Sequence, residues 1–311
     1  MSEELFDLLC RSREELFYNS RTKYRRESDG SLTPYEIMVA DRYIFNPNGA
    51  KLSELSRAID YASAYREAAA ELFGGALPRS GGYVPAPTSE ADKRVRSQRR
   101  AKNQIIDIIM SNDFDCFATL TLDRNQIDRC DYSAIIKRLN VYLDNRVRRN
   151  GLRYVGVPER HKDGAIHFHF LCNSAALRLV DSGTVSVAGH KRPIKIATAD
   201  RLNVPLAERH TVYNIADWTL GFTTAIMTYG HREAVANYVG KYITKGIEKV
   251  GGRWYYSGGD LCRPVIKYDR VSFNDVTSYS YGFECAGGKF KVFKLGGNFD
   301  YQDEILSGDT Q

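Results

Sequence analysis

Two imidazoles spaced two residues apart and two phenols spaced four apart are the residues of this sequence best placed to do chemistry. The first pair lies in Ile166-His167-Phe168-His169-Phe170-Leu171, where apolar and histidine positions alternate and β-forming residues fill the run. In a strand, residues two apart face the same way, so both imidazoles emerge on one side and can converge on a cation. The second pair lies in Asn237-Tyr238-Val239-Gly240-Lys241-Tyr242-Ile243-Thr244-Lys245, which reads as a helix. Residues four apart share a helix face, so Tyr238 and Tyr242 stack one turn apart. A lone histidine more often fills a half-polar sheet face, and aromatic pairs at this spacing more often pack a core. The helical wheel argues otherwise here. Val235, Val239, Ile243 and Ile247 form one aliphatic stripe, while Tyr238 and Tyr242 share another with Lys245 and Lys249. That second stripe is a polar face.

Glu159 ends the stretch preceding the histidines, and a hairpin through Lys162-Asp163-Gly164 brings it alongside them. Two imidazoles and one carboxylate leave positions open for a phosphate oxygen and suit Mg²⁺ or Mn²⁺. His161 competes for the third place but sits in the turn. A phenolate is both a fair nucleophile and a fair leaving group, so a phosphotyrosine ester keeps the bond energy needed for rejoining. Lys241 or Lys245 can stabilise phenolate or phosphate charge.

These residues carry a family resemblance. His-hydrophobic-His followed by a helical Tyr-x-x-x-Tyr resembles the HUH endonucleases that initiate rolling-circle replication. The two-tyrosine form, with Lys241 and Lys245, is similar to the replication initiators (A proteins) of small isometric single-stranded DNA phages. Phe117-Ala118-Thr119-Leu120-Thr121-Leu122-Asp123 resembles the first motif of that family. The match covers roughly residues 114 to 250. The resemblance implies a third metal ligand at Glu159 and a covalent 5′-phosphotyrosine with a free 3′-OH for a polymerase. It also implies a second tyrosine that cuts the regenerated origin. A transposase or relaxase uses the same chemistry. Relaxases generally carry a third histidine and an N-terminal nucleophile, and the smaller transposases one tyrosine.

The surrounding pattern must position these groups. From Cys116, residues Phe117, Thr119 and Thr121 face one way and Ala118, Leu120 and Leu122 the other. Between residues 133 and 149, Ile135, Ile136, Leu139, Tyr142, Leu143 and Val147 recur at helical spacing. A strand over 153–158 precedes the histidine strand. This succession predicts an α+β fold, an antiparallel sheet with the histidine strand at its centre and helices behind it. Strand-like stretches at 184–188 and 193–198 and an aromatic stretch around Tyr213, Trp218 and Phe222 follow. The tyrosine helix is expected from about Arg232 to Lys249, ending at Gly251-Gly252. Residues 1–73 read as mainly helical, with 52–72 the clearest helix, and 74–88 as a turn-rich linker. Three regions are therefore expected: a helical 1–110, an endonuclease domain over 111–252 and a β-rich extension over 253–311.

Composition bounds the rest. The 311 residues are 43% hydrophobic and 26% charged with a net charge of +6, and contain no apolar run long enough to span a membrane. The N-terminus lacks a secretion-type apolar core, and six scattered cysteines form no Cys-x-x-Cys pair, which fits a reducing cytoplasm. No Walker loop occurs, so any helicase is expected from the host, as is the polymerase. Lys93, Arg94, Arg96, Arg99, Arg100 and Lys102 form a basic run. With Lys249, the arginines Arg94, Arg96, Arg99 and Arg100 are expected to meet single-stranded or origin DNA. A non-catalytic single-stranded nucleic-acid-binding protein would also use such a run, but it leaves His167, His169 and the lysine-lined tyrosines without a purpose.

Overall fold

The computed structural model describes residues 18–41, 45, 89–161, 163–190, 192–228, 232, 235, 236, 239, 249–273, 282–285 and 290–294. Two compact units emerge. One comprises Ser89–Pro264 with Gly297–Gln311, the other Met1–Thr88 with Val265–Gly296.

The larger unit is built on an eight-stranded antiparallel sheet. Its strands are β3 (Cys116–Leu122), β4 (Tyr154–Arg160), β5 (Ile166–Cys172), β6 (Leu179–Ser186), β7 (Ile194–Lys195), β8 (His210–Ile215), β9 (Gly221–Met227) and β10 (Tyr256–Gly258), in the order β10-β4-β5-β3-β9-β8-β6-β7. The histidine strand β5 lies inside the sheet, paired with β4 through a hairpin and with β3 on its other side. Helix α1 (Glu90–Ser111) precedes β3, and α2 (Tyr132–Asn150) joins β3 to β4. This is the α+β architecture that the alternation predicts.

Alternation sorts the strands into two packed faces. Ala118, Leu120, Phe168 and Phe170 bury one face beneath Ile135, Leu139 and Leu143 of α2. Those three helical residues recur every four positions, which is why one stripe of α2 suffices. Asp131 caps the helix by accepting from the Ala134 N–H, and Gly151 ends it with φ +68°. On the opposite face, Phe117, Val155, Val157 and Leu171 pack with Ala101, Ile105, Ile108 and Ile109 of α1 and with Val235, Ala236 and Val239. Arg232, Val235, Ala236 and Val239 are helical, as expected. Gly251 and Gly252 both have positive φ, consistent with a break there. Residues 193–198 differ from expectation: only Ile194–Lys195 is strand, and α3 (Ile196–Arg201) follows at once.

In the smaller unit, β1 (Ser20–Arg26), β2 (Leu32–Ala40), β11 (Val265–Asp269), β12 (Gly282–Cys285) and β13 (Phe290–Lys294) form a second antiparallel sheet in the order β11-β1-β2-β13-β12. The helical N-terminal region is therefore corrected: among its described residues below 89, two strands replace the expected helix. The reason is visible in the pairing. Lys23 is buried in β1 because it meets Glu36 of β2 at 3.1 Å, a cross-strand ion pair that hides the strand's alternation behind charges. The expected helix at 52–72 lies outside the described residues. None of the described helices is long and apolar enough to cross a membrane.

Candidate functional site

Strand pairing assembles the site. In the β3–β5 ladder, Thr119 stands opposite His169 and Thr121 opposite His167; across the hairpin, Glu159 stands opposite His167. Directly opposed residues project to the same side. All five side chains therefore share the sheet face that α1 partly covers.

Each threonine engages a ring. Thr119 Oγ1 lies 3.2 Å from Nδ1 of His169, and Thr121 Oγ1 lies 3.1 Å from Nδ1 of His167. With Nδ1 occupied on both rings, Nε2 is the nitrogen left to face a ligand. At His169 that nitrogen meets Glu159 Oε2 at 2.8 Å. His169 is buried and lies nearly parallel to the Phe117 ring, with centroids 5.9 Å apart. His167 is half-buried, and its ring rests against that of His161 at a centroid separation of 3.9 Å. Burial holds the His167 imidazole down to about 4, helped by the neighbouring His161 and His169 and opposed by Glu159. At neutral pH it is uncharged and keeps a lone pair.

Thr121 is held from a second side. The Trp218 indole N–H donates to its backbone carbonyl at 3.3 Å. Next to it, Gly221 adopts φ +155°, and a Cβ there would lie 2.2 Å from the same carbonyl. Only glycine lets β9 approach the end of β3 this closely.

The donor set fits a hard divalent cation in kind: two imidazole nitrogens, one carboxylate, and hydroxyls that set ring orientation. Among the described residues no three His, Cys, Asp or Glu side chains are gathered into a cation site. Glu159 and His169 are instead drawn together by their own hydrogen bond. Their 2.8 Å separation is nonetheless close to the spacing of adjacent ligands on one octahedral cation, about 3 Å for bonds of about 2.1 Å.

Tyr238, Tyr242, Lys241 and Lys245 lie outside the described residues. Their described neighbours Val235, Ala236 and Val239 are buried on the histidine face, in the cluster with Phe117, Val155, Val157 and Leu171. The aliphatic stripe of that segment is thus where the wheel puts it. Arg94, Arg96, Arg99 and Arg100 are exposed along the first half of α1. No ion pair among the described residues engages them. Trp254 donates from its indole to Ser97 Oγ of α1 at 2.9 Å, and Lys249 Nζ lies 5.9 Å from the Trp254 ring centre. Lys249 is exposed and belongs to the same side of the unit as the basic run.

Two residues escape the sequence reading as site residues: Thr119 and Thr121. Their signal is the Thr-x-Thr spacing in β3, which equals the His-x-His spacing in β5, but only the pairing register turns equal spacing into contact.

Residues 115–247 match the family model of the replication-associated protein ORF2. The matched stretch includes β3, the β4–β5 hairpin and both tyrosines. No curated protein and no solved structure matches the chain. The similarity is thus to replication-associated proteins, over the part of the chain that carries the site.

Proposed function

We propose that this protein initiates rolling-circle DNA replication by nicking and rejoining one DNA strand through a tyrosine ester. The observation that supports this reading best is the shared face. His167, His169 and Glu159 project from the same side of the sheet on which the described part of the Tyr238 segment is buried. The match to replication-associated proteins spans both elements.

In this reading His167, His169 and Glu159 hold Mg²⁺ or Mn²⁺, which when bound polarises the scissile phosphate and offsets charge developing on its oxygens. Thr119 and Thr121 accept the Nδ1 protons and keep the Nε2 lone pairs directed outward. The low proton affinity of His167 keeps it available at neutral pH. The phenolate oxygen of Tyr238 or Tyr242 attacks phosphorus. A tyrosine O–P bond forms, the P–O3′ bond breaks, and the departing 3′ oxygen takes a proton to become a free hydroxyl. Lys241 and Lys245 supply positive charge to phenolate or phosphate. Rejoining reverses these steps, and the second tyrosine lets the enzyme cut a regenerated origin while still holding the first end. Arg94, Arg96, Arg99, Arg100 and Lys249 contribute sequence-independent affinity for the backbone. Helicase and polymerase come from the host.

The test is covalent capture. Purified protein incubated with single-stranded DNA carrying candidate origin sequence should form a denaturation-resistant protein–DNA adduct in Mn²⁺ and none in EDTA. His167→Ala or His169→Ala should abolish the adduct while DNA binding persists, and Glu159→Ala should lower it less. An adduct of unchanged yield in the double histidine variant removes the metal reading. Absence of any adduct, with DNA binding retained, favours a non-catalytic binder.

A further inference from the structure

One residue of the histidine face has no role in the chemistry above. Phe222 stands directly opposite Thr121 in the β3–β9 ladder, so His167, Thr121 and Phe222 form one cross-strand row on one side of the sheet. Its ring is 66% exposed although it lies within a strand of an eight-stranded sheet. The other large exposed apolar side chains, such as Val141 and Leu206, lie on a helix surface or a loop turn, where single exposed hydrophobes are ordinary. An aromatic ring displayed in the row of the site is a different case.

The neighbourhood of Phe222 is an open platform. Thr224 faces Thr119 and is exposed. By alternation from the Tyr213–Ala225 pair, Asn214 flanks Thr224, and Val180 stands opposite Asn214; both are exposed. The helical cover of this face packs on residues of β3, β4 and β5 only. The cover stops at β3 and the face continues bare across β9, β8 and β6. The charges at this end of the sheet suit an anion: Arg124 is exposed just beyond β3, and Arg129 is close enough to His167 to help depress its protonation.

We propose that Phe222 is a stacking platform for one nucleobase of the single-stranded DNA whose phosphate meets His167 and His169. This rests on the nicking reading only in taking single-stranded DNA as what the histidine face meets. Two strand spacings, about 10 Å, separate the backbones at His167 and Phe222. One nucleotide can bridge that interval from its phosphate to the far edge of its base. Base–aromatic stacking tolerates any base, because every base offers a π-face. Phe222 therefore positions the strand without selecting its sequence, while phosphate contacts set its path.

The experiment uses the full chain in EDTA, where nothing is cut, with two probes: a short oligothymidylate and an abasic strand of equal length and charge. Phe222→Ala should bind oligothymidylate about tenfold more weakly and the abasic strand as the wild type does. Phe222→Trp should keep wild-type affinity. Its emission in excess of the wild-type signal should be quenched by oligothymidylate and not by the abasic strand. Equal affinity of Phe222→Ala and wild type for oligothymidylate overturns the proposal, as does equal quenching by both probes. The nicking reading is judged separately by the Mn²⁺ adduct. Adduct formation with no Phe222 effect leaves nicking and removes the platform; the reverse pattern leaves the platform and removes nicking.

Discussion

Thr121 Oγ1 lies 3.1 Å from Nδ1 of His167, and Thr119 repeats the relationship with His169 at 3.2 Å. The repetition follows from the antiparallel register, which sets each threonine across from one histidine. Hydroxyl groups thus decide which ring nitrogen faces outward. Replacing either threonine with valine keeps the strand former and removes the acceptor. Thr119→Val and Thr121→Val should each lower Mn²⁺ affinity by roughly 10- to 100-fold. Titrating adduct formation with Mn²⁺ checks this, and an unmoved midpoint with intact folding shows the hydroxyls to be spectators.

The depressed proton affinity of His167 has a consequence for the metal-free fold. Its folded value is about 4 against 6.5 for a free imidazole, so between these values the unfolded chain binds the extra proton. Stability should therefore fall as pH drops from about 6.5 to about 4, with no further loss from this group below that. His167→Gln removes the titrating ring. Melting temperatures in EDTA across this window should decline less steeply for the variant, and parallel curves would show that His167 ionises alike in both states.

Gly221 holds β9 against the end of β3 where no side chain fits, since a Cβ would meet Thr121 O at 2.2 Å and Asp123 N at 2.5 Å. Backbone atoms cannot yield as a flexible side chain does. Gly221→Ala should cost about 2 kcal/mol or more in urea unfolding, from the clash and from the positive φ. A variant within about 0.5 kcal/mol of wild type, the usual range for a tolerated surface change, would show that this end of the sheet opens without strain.

The exposed arginines of α1 should contribute through counterion release. Neutralising Arg94, Arg96, Arg99 and Arg100 together should weaken binding to single strands. It should also lower the slope of log affinity against log salt by up to about 3, since each phosphate left without its arginine removes about 0.7. Fluorescence anisotropy over a salt series gives that slope, and an unchanged value returns the run to a solvated helix face.

The site is legible where the chemistry lies within one strand or one helix. The alternation of His167 and His169 and the helical stripe through Val235 and Val239 are local patterns, and both find their packing. Thr119 and Thr121 are not legible as partners, because threonine is an ordinary strand former and its contact depends on pairing between segments about 50 residues apart. The stacking of His161 on His167 arises in the same way, through closure of the β4–β5 hairpin. β1 escapes for another reason. Its sequence Ser-Arg-Thr-Lys-Tyr-Arg-Arg shows no apolar alternation, since the buried position is Lys23, neutralised by Glu36 from β2.

The central claim is that Tyr238 and Tyr242 are the nucleophiles, and mass spectrometry of the DNA-linked peptide tests it most directly. Trypsin separates the two, because cleavage after Arg232, Lys241 and Lys245 leaves Tyr238 in residues 233–241 and Tyr242 in residues 242–245. The account predicts the nucleotide mass on one or both of these peptides in the wild type. It predicts transfer wholly to the remaining tyrosine in either single Phe variant, and loss in the double variant. A nucleotide mass on any other peptide, or an adduct that survives Tyr238→Phe combined with Tyr242→Phe, contradicts it.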